Sequence, residues 1–152
     1  MSAVAKHIFL ADDDDDDRLL FEDAFDELNL PVRITMVKDG EQLMNYLSTV
    51  SGALPDALFL DLNMPRKNGF TCLKEIKSNQ RLSVIPVIIF STSYEKGVAD
   101  RLYDQGAHYY IRKPADFGDL KRAISSAYHV LLETKLQPPK DKFLISHQKP
   151  IS

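Results

Sequence analysis

Five short apolar runs alternate with amphipathic stretches along this chain, and the two periods are easily told apart. The runs fall near His7–Ala11, Val32–Val37, Ala57–Leu60, Pro86–Ser91 and Tyr109–Arg112. Most are continuously apolar, the pattern of strands covered on both faces. The second alternates instead, Val32, Ile34 and Met36 against Arg33 and Thr35, which suits an edge strand. Between the runs, apolar residues recur at helical spacing. Leu20, Ala24 and Leu28, with Phe21 and Phe25 beside them, mark a first helix from about Asp15 to Leu28. Asp39-Gly40-Glu41-Gln42 has the form of a capping box ahead of Leu43, Met44 and Leu47. Asn68 can cap a third helix carrying Phe70, Leu73 and Ile76. Ser93 can cap a fourth, with Val98, Ala99 and Leu102 inward and Gly106 as its stop. Leu120, Ala123, Ile124, Ala127 and Leu131 make the clearest stripe, a long fifth helix.

This (βα)5 alternation predicts an α/β domain built on a parallel, doubly wound sheet in the flavodoxin-like order 2-1-3-4-5. Such sheets bind ligands outside the carboxyl ends of their strands, at the switch point beside strands one and three. The chemistry of this chain is concentrated there. The first run enters Asp12-Asp13, the third enters Asp61, the fourth ends in Ser91 and the fifth passes through Arg112 into Lys113-Pro114. The domain is expected over residues 1–133. Beyond Glu133 the pattern stops: Gln137-Pro138-Pro139-Lys140 breaks it, and Phe143-Leu144-Ile145 is the one later apolar run. Residues 134–152 thus read as a tail that is flexible, adds a short strand, or docks on a partner.

Three carboxylates and one ammonium gathered in one crevice suit a hard cation and a phosphoryl group. Asp12 and Asp13 follow a buried strand directly, and packing like charges there calls for a compensating cation. Oxygen-only donors without nearby Cys or His point to Mg²⁺. Asp14 to Asp17 read as a solvated acidic run at a helix start, where the helix dipole favours negative charge. Asp61 begins Asp61-Leu62-Asn63-Met64-Pro65 and is followed by Arg66-Lys67-Asn68-Gly69, a tightly specified loop. A carboxylate there can serve as a capping or turn residue, or as a nucleophile toward phosphorus. Ser91 is a weak signal alone, because Ser91, Thr92 and Ser93 could each cap a helix. Lys113 is sharper: a lysine beside a buried strand can pair with a carboxylate at rest and with a phosphoryl oxygen afterwards. Pro114 fixes the turn that aims it, with a cis Lys113–Pro114 peptide as one way of doing so.

The totals remove several alternatives. A net charge of −3 with no basic stripe argues against nucleic acid as a partner. No run approaches the roughly 18 apolar residues of a membrane span. Met1 to Lys6 offers no signal peptide, and the single cysteine, Cys72, allows no internal disulfide, so a cytoplasmic setting is expected. Cys72, His7, His108, His129 and His147 are scattered without ligand spacing and read as structural or surface residues.

Asp12-Asp13, Asp61 with its Leu-Asn-Met-Pro and Gly69, Ser91, and Lys113-Pro114 lie in the order and spacing of the two-component response-regulator receiver family. The chain resembles that family from about Lys6 to Leu132, and is similar to stand-alone receivers that partner sensor kinases such as phytochromes. The resemblance implies Asp61 as phosphoacceptor and Mg²⁺ as cofactor. It implies Asp13 as a direct metal ligand, with Asp12 acting through water and the Asn63 backbone carbonyl as a further ligand beside Asp61. Ser91 would bind the phosphoryl group, Lys113 would be the ion-pairing lysine, and Tyr110 would be the aromatic switch residue. Tyr110 could equally be a half-buried strand aromatic. Asn63 and Ser93 would flank the attacking water and tune the phosphoryl lifetime.

The implied function is a phosphorylation-operated switch rather than a turnover enzyme, fed by a sensor histidine kinase or phosphotransfer protein. No second domain is visible, so a DNA-binding output is not expected. A homodimer through helix four, strand five and helix five, or through the tail, is the other candidate contact. Two rivals remain: a receiver fold used only as a phosphorylation-independent interaction module, and a Mg²⁺-dependent aspartyl phosphatase, whose usual Asp-x-Asp and cap are missing. Two departures from the family pattern touch the usual output face: bulky Phe90 before Ser91, and Ala115-Asp116-Phe117 after Pro114.

Overall fold

A computed structural model describes residues 5–49 and 52–145. Five parallel strands, β1 (Lys6–Ala11), β2 (Val32–Val37), β3 (Ala57–Leu60), β4 (Val87–Ser91) and β5 (Tyr109–Arg112), form one sheet in the order β2-β1-β3-β4-β5. The helices between and after them are α1 (Asp15–Leu28), α2 (Gly40–Thr49), α3 (Gly69–Ser78), α4 (Lys96–Asp104) and α5 (Phe117–Glu133). This is the flavodoxin-like α/β arrangement expected from the alternation, with β2 at an edge. Short 3-10 turns at Leu82–Val84 and Lys140–Lys142 complete the described elements.

Successive residues of a strand face opposite sides, so each strand feeds two cores. Phe9, Leu58, Leu60, Val87 and Ile89 pack with Leu43, Leu47, Leu73, Ile76 and Leu102 from α2, α3 and α4. Ile8, Leu10, Phe59, Ile88 and Phe90 pack with Phe21, Phe25, Ala123, Ile124 and Ala127 from α1 and α5. Phe21 stands edge-on to Phe59 at 5.0 Å and to Phe90 at 5.7 Å. Phe90 is therefore an interior residue on the α1–α5 side, 2% exposed, and not part of an output surface as its bulk suggested.

Helix stripes are rotated slightly from their expected positions. Phe21, Ala24 and Phe25 form the buried face of α1, which turns Leu20 outward. In α3, Cys72, Leu73 and Ile76 go inward and Phe70 is exposed. Asn68 caps α3 as expected, its Oδ1 accepting from the Thr71 N–H at 2.9 Å. Asp39 accepts from Gln42 N–H at 2.8 Å, and the Gln42 side chain returns to the Lys38 N–H, one residue outside the expected box. Ser93 does not cap the fourth helix. That helix starts at Lys96 after Glu95 with no side-chain cap, because Ser93 is already engaged with Ser91 and Tyr110. Gly106 stops it in the left-handed region, φ 105°, donating its N–H to Tyr103 O.

The tail, left open by the sequence, is packed over its described part. The Tyr110 N–H donates to Phe143 O and the Ile145 N–H to Tyr110 O, both at 2.9 Å, a parallel bridge on the outer edge of β5. Phe143 is buried, its ring 5.4 Å from Tyr103 and 6.2 Å from Tyr110. Tyr103 Oη donates to Pro138 O at 2.7 Å, and Gln137 Nε2 donates to Tyr103 O and Ala107 O. His147 and the remainder of the tail lie outside the described residues.

Candidate functional site

Register places the chemistry. Ala11 is level with Leu60, so Asp12 and Asp61 leave neighbouring strands side by side. Asp61 N–H donates to Ala11 O and Lys113 N–H to Ser91 O, carrying the ladders one residue past the strand ends. Ser91 is level with Arg112, which sets Lys113 just beyond it. Gly69 then lets the start of α3 press against the acid, since a Cβ there would fall 2.2 Å from the Asp61 carbonyl oxygen. Arg66 turns the loop in the left-handed region, φ 68°. The Lys113–Pro114 peptide is trans, so the cis turn considered above is not used.

Asp12, Asp13 and Asp61 each present a carboxylate oxygen within 4.8 Å of the others. Asp12 is fully buried, Asp61 is 6% exposed and Asp13 is open to solvent. Lys113 lies among them, its Nζ 2.7 Å from Asp12 Oδ2, 3.0 Å from Asp17 Oδ2 and 3.4 Å from Asp61 Oδ2. The Asp12 contact is an ion pair without hydrogen-bond geometry, which leaves a buried Oδ2 without a donor. Burial pushes Asp12 up from 3.8 to about 6, against the pull of Lys113 and the Asp14 N–H. Burial raises Asp61 as well, opposed by Lys113 and the Asn63 N–H. Burial alone would lower Lys113, but Asp12, Asp17 and Asp61 together hold it well above its usual value. Its ammonium also stands over the Phe90 ring, 5.3 Å from its centre, so the residue expected to disturb the output face instead lies beneath the lysine.

The residues fit a hard divalent cation. An all-oxygen trio, two of its carboxyls raised by burial, and a buried Oδ2 met only by the Lys113 ammonium are what such an ion would suit. Asn63 sits at the exposed lip, its N–H 3.4 Å from Asp61 Oδ1. Ser91 is fully buried, with Oγ 3.3 Å from Ser93 Oγ and accepting from the Ser93 N–H. Tyr110 is 1% exposed, not half-buried, with its hydroxyl donating to Ser93 O and Tyr94 edge-on at 5.2 Å. The expected residues are thus brought to one rim of the sheet. Asp17 was read as solvated and is instead bound to Lys113, 96 positions away. Its helix position gave no signal of that. His7, Cys72, His108 and His129 lie apart from the acid trio.

An acidic trio, a buried hydroxyl and a lysine thus meet at the carboxyl edge of a 2-1-3-4-5 sheet. Residues 8–125 match the response regulator receiver domain, and the chain belongs to that family of phosphorylation-operated signalling proteins. It is 34% identical to the probable methanogenesis regulatory protein FilR2 of Methanothrix harundinacea, over 77% of each chain. It is 28% identical to the response regulator Rcp1 of Synechocystis sp., over 88% of this chain and 93% of Rcp1. Among solved structures, the phosphorylated cyanobacterial phytochrome response regulator RcpA superposes with a TM-score of 0.78 at 33% identity, covering 90% of this chain and all of RcpA. The Mn²⁺-bound form of Rcp1 gives 0.76 at 28% identity, covering 88% and 99%. Among the described residues no helix is long and apolar enough to cross a membrane.

Proposed function

We propose that this protein takes a phosphoryl group from the phosphohistidine of a sensor kinase or phosphotransfer protein onto Asp61, and passes on the signal by changing which partner it binds. The observation that carries this reading is the buried acid trio with Lys113 in contact with both Asp12 and Asp61. In the transfer, the phosphorus–nitrogen bond to histidine breaks as a bond to an Asp61 carboxylate oxygen forms, and the imidazole takes up a proton. Asp13, Asp61 and the Asn63 carbonyl, with Asp12 acting through water, would hold Mg²⁺, which would supply charge to offset the phosphoryl oxygens. Lys113 exchanges an Asp61 oxygen for a phosphoryl oxygen, and Ser91 Oγ donates to another. Withdrawing Ser91 from Ser93 alters the loop that also holds Tyr110, linking the acid to the β5 surface. Asn63 and Ser93, at the lip, set how readily water reaches the acyl phosphate. The acid and the surface are two ends of one switch, set in the cytoplasm where such kinases deliver their phosphoryl groups.

Intact-mass spectrometry with Mg²⁺ and a small phosphodonor tests this on wild type and Asp61→Asn. One phosphoryl adduct on wild type and none on the variant is expected. A folded wild type that takes no adduct from any donor would sink the proposal in favour of a phosphorylation-independent scaffold.

A further inference from the structure

Six consecutive aspartates run from the end of β1 into the first turn of α1, and the last of them behaves unlike its neighbours. Asp14 caps the helix by accepting from the Asp17 N–H, and Asp15 pairs with Arg18. Arg18 in turn donates to Asp12 O at 2.7 Å, which fixes the first turn against the end of β1. Asp17 occupies the third helical position, where an acid commonly reaches back to the cap. Here its side chain crosses to β5 and accepts from Lys113 Nζ at 3.0 Å, with 32% of the Asp17 side chain exposed against 9% of Lys113.

Of the three acids around Lys113, Asp12 and Asp61 belong to the oxygen trio and Asp17 does not. A divalent cation on the trio would offset two of its three negative charges, weakening their hold on the ammonium, and would repel the ammonium directly. Among the described residues, Asp17 is the one acid outside the trio that pairs with the ammonium, and its carboxylate stands on the first turn of α1. We propose that Asp17 is a positioning residue that keeps Lys113 above Asp61 while a cation occupies the trio. It acts through the lysine and touches neither the cation nor the phosphoryl group. The acidic run thus divides by role: Asp12 and Asp13 face the ion, Asp14 caps, and Asp17 tethers. The kinetic part of this proposal rests on Asp61 being the phosphoacceptor; the tether itself does not.

Two measurements on the full chain separate these. The first is the ¹H–¹⁵N signal of the Lys113 ammonium in lysine-labelled protein with saturating Mg²⁺. Wild type should show it, Asp17→Asn should lose it to solvent exchange, and Asp17→Glu should restore it in part. An unchanged signal in Asp17→Asn overturns the tether. The second is the rate of phosphoryl uptake from a small phosphodonor, expected to fall about tenfold in Asp17→Asn, as for loss of an orienting outer partner, with Mg²⁺ affinity by calorimetry unchanged. In a Lys113→Ala background the same substitution should have no further effect. Equal uptake in Asp17→Asn, or an additive loss without the lysine, refutes the proposal. If wild type takes up no phosphoryl group, the functional reading fails and the ammonium signal still decides the tether.

Discussion

Replacing Asp12 by asparagine should make the metal-free protein more stable at neutral pH while abolishing its response to Mg²⁺. Burial lifts the Asp12 carboxyl from 3.8 to about 6, so the folded state holds its proton over a range in which the unfolded chain has lost it. A group raised in this way contributes stability that is complete below pH 3.8 and lost as pH climbs through about 6. The gap spans roughly two pH units, and at about 1.36 kcal/mol for each the ionised carboxylate costs about 3 kcal/mol at pH 7. Asparagine keeps the side-chain oxygen that accepts from the Asp14 N–H and removes the charge. The pull of Lys113 is already contained in that shift, but an amide facing the ammonium imitates the protonated acid imperfectly, so the net gain is smaller, about 1–2 kcal/mol. With a urea slope of about 2 kcal/mol/M, that raises the denaturation midpoint by about 0.5–1 M at pH 7. At pH 4, where wild-type Asp12 is largely protonated, the two curves should converge. Adding Mg²⁺ at a hundred times its dissociation constant should stabilise wild type by about 2.7 kcal/mol and the variant hardly at all. A metal-free Asp12→Asn protein less stable than wild type at pH 7 would refute the reasoning, because Asp12 would then be a net stabilising partner of Lys113.

Three further outcomes are expected. Gly69→Ala forces a Cβ to 2.2 Å from the Asp61 carbonyl oxygen, so the loop must shift, lowering stability by about 1–3 kcal/mol in urea titration and slowing phosphoryl uptake. Phe143→Ala removes a buried ring from the tail, and exchange of the Tyr110 amide, bonded to Phe143 O, should quicken about a hundredfold by NMR. His108 is buried with its affinity for protons lowered, chiefly by desolvation, so the folded state binds fewer protons than the unfolded chain below pH 6.5. Stability should therefore fall on acidification through that range by an amount that His108→Gln removes, as read from urea midpoints at pH 7 and pH 5.

The strands and their chemistry were legible because both signals are local. A continuous apolar run implies a strand buried on both faces, and the residue that ends it must lie at the sheet edge. Helix faces were legible to within one or two positions: Leu20 and Phe70 satisfy the helical period, but Phe21, one residue on, and Cys72, two residues on, take the interior places. Ser93 satisfies every local rule for a cap and was captured by a contact to Tyr110, 17 positions away. Asp17 was read as solvated and the tail was left open for the same reason. A carboxylate that reaches from α1 to β5, and an apolar tripeptide that lies along β5, are decided by tertiary neighbours. The run around them carries only charge and turn preference.

The backbone of Tyr110 holds the chain's later segment on both sides, through Phe143 O and the Ile145 N–H. That makes the residue a mooring as well as a ring, so that any movement of the interior aromatic would reach an exterior handle. Leu144 lies between the two bonds and is 46% exposed, while Cys72, the one cysteine of the chain, is fully buried. A single thiol introduced as Leu144→Cys would therefore be the one accessible to a fluorophore, placed on the β5 edge away from the acids. Under the proposed function, such a labelled protein would be an optical gauge of the switch, with the dye outside the acid pocket.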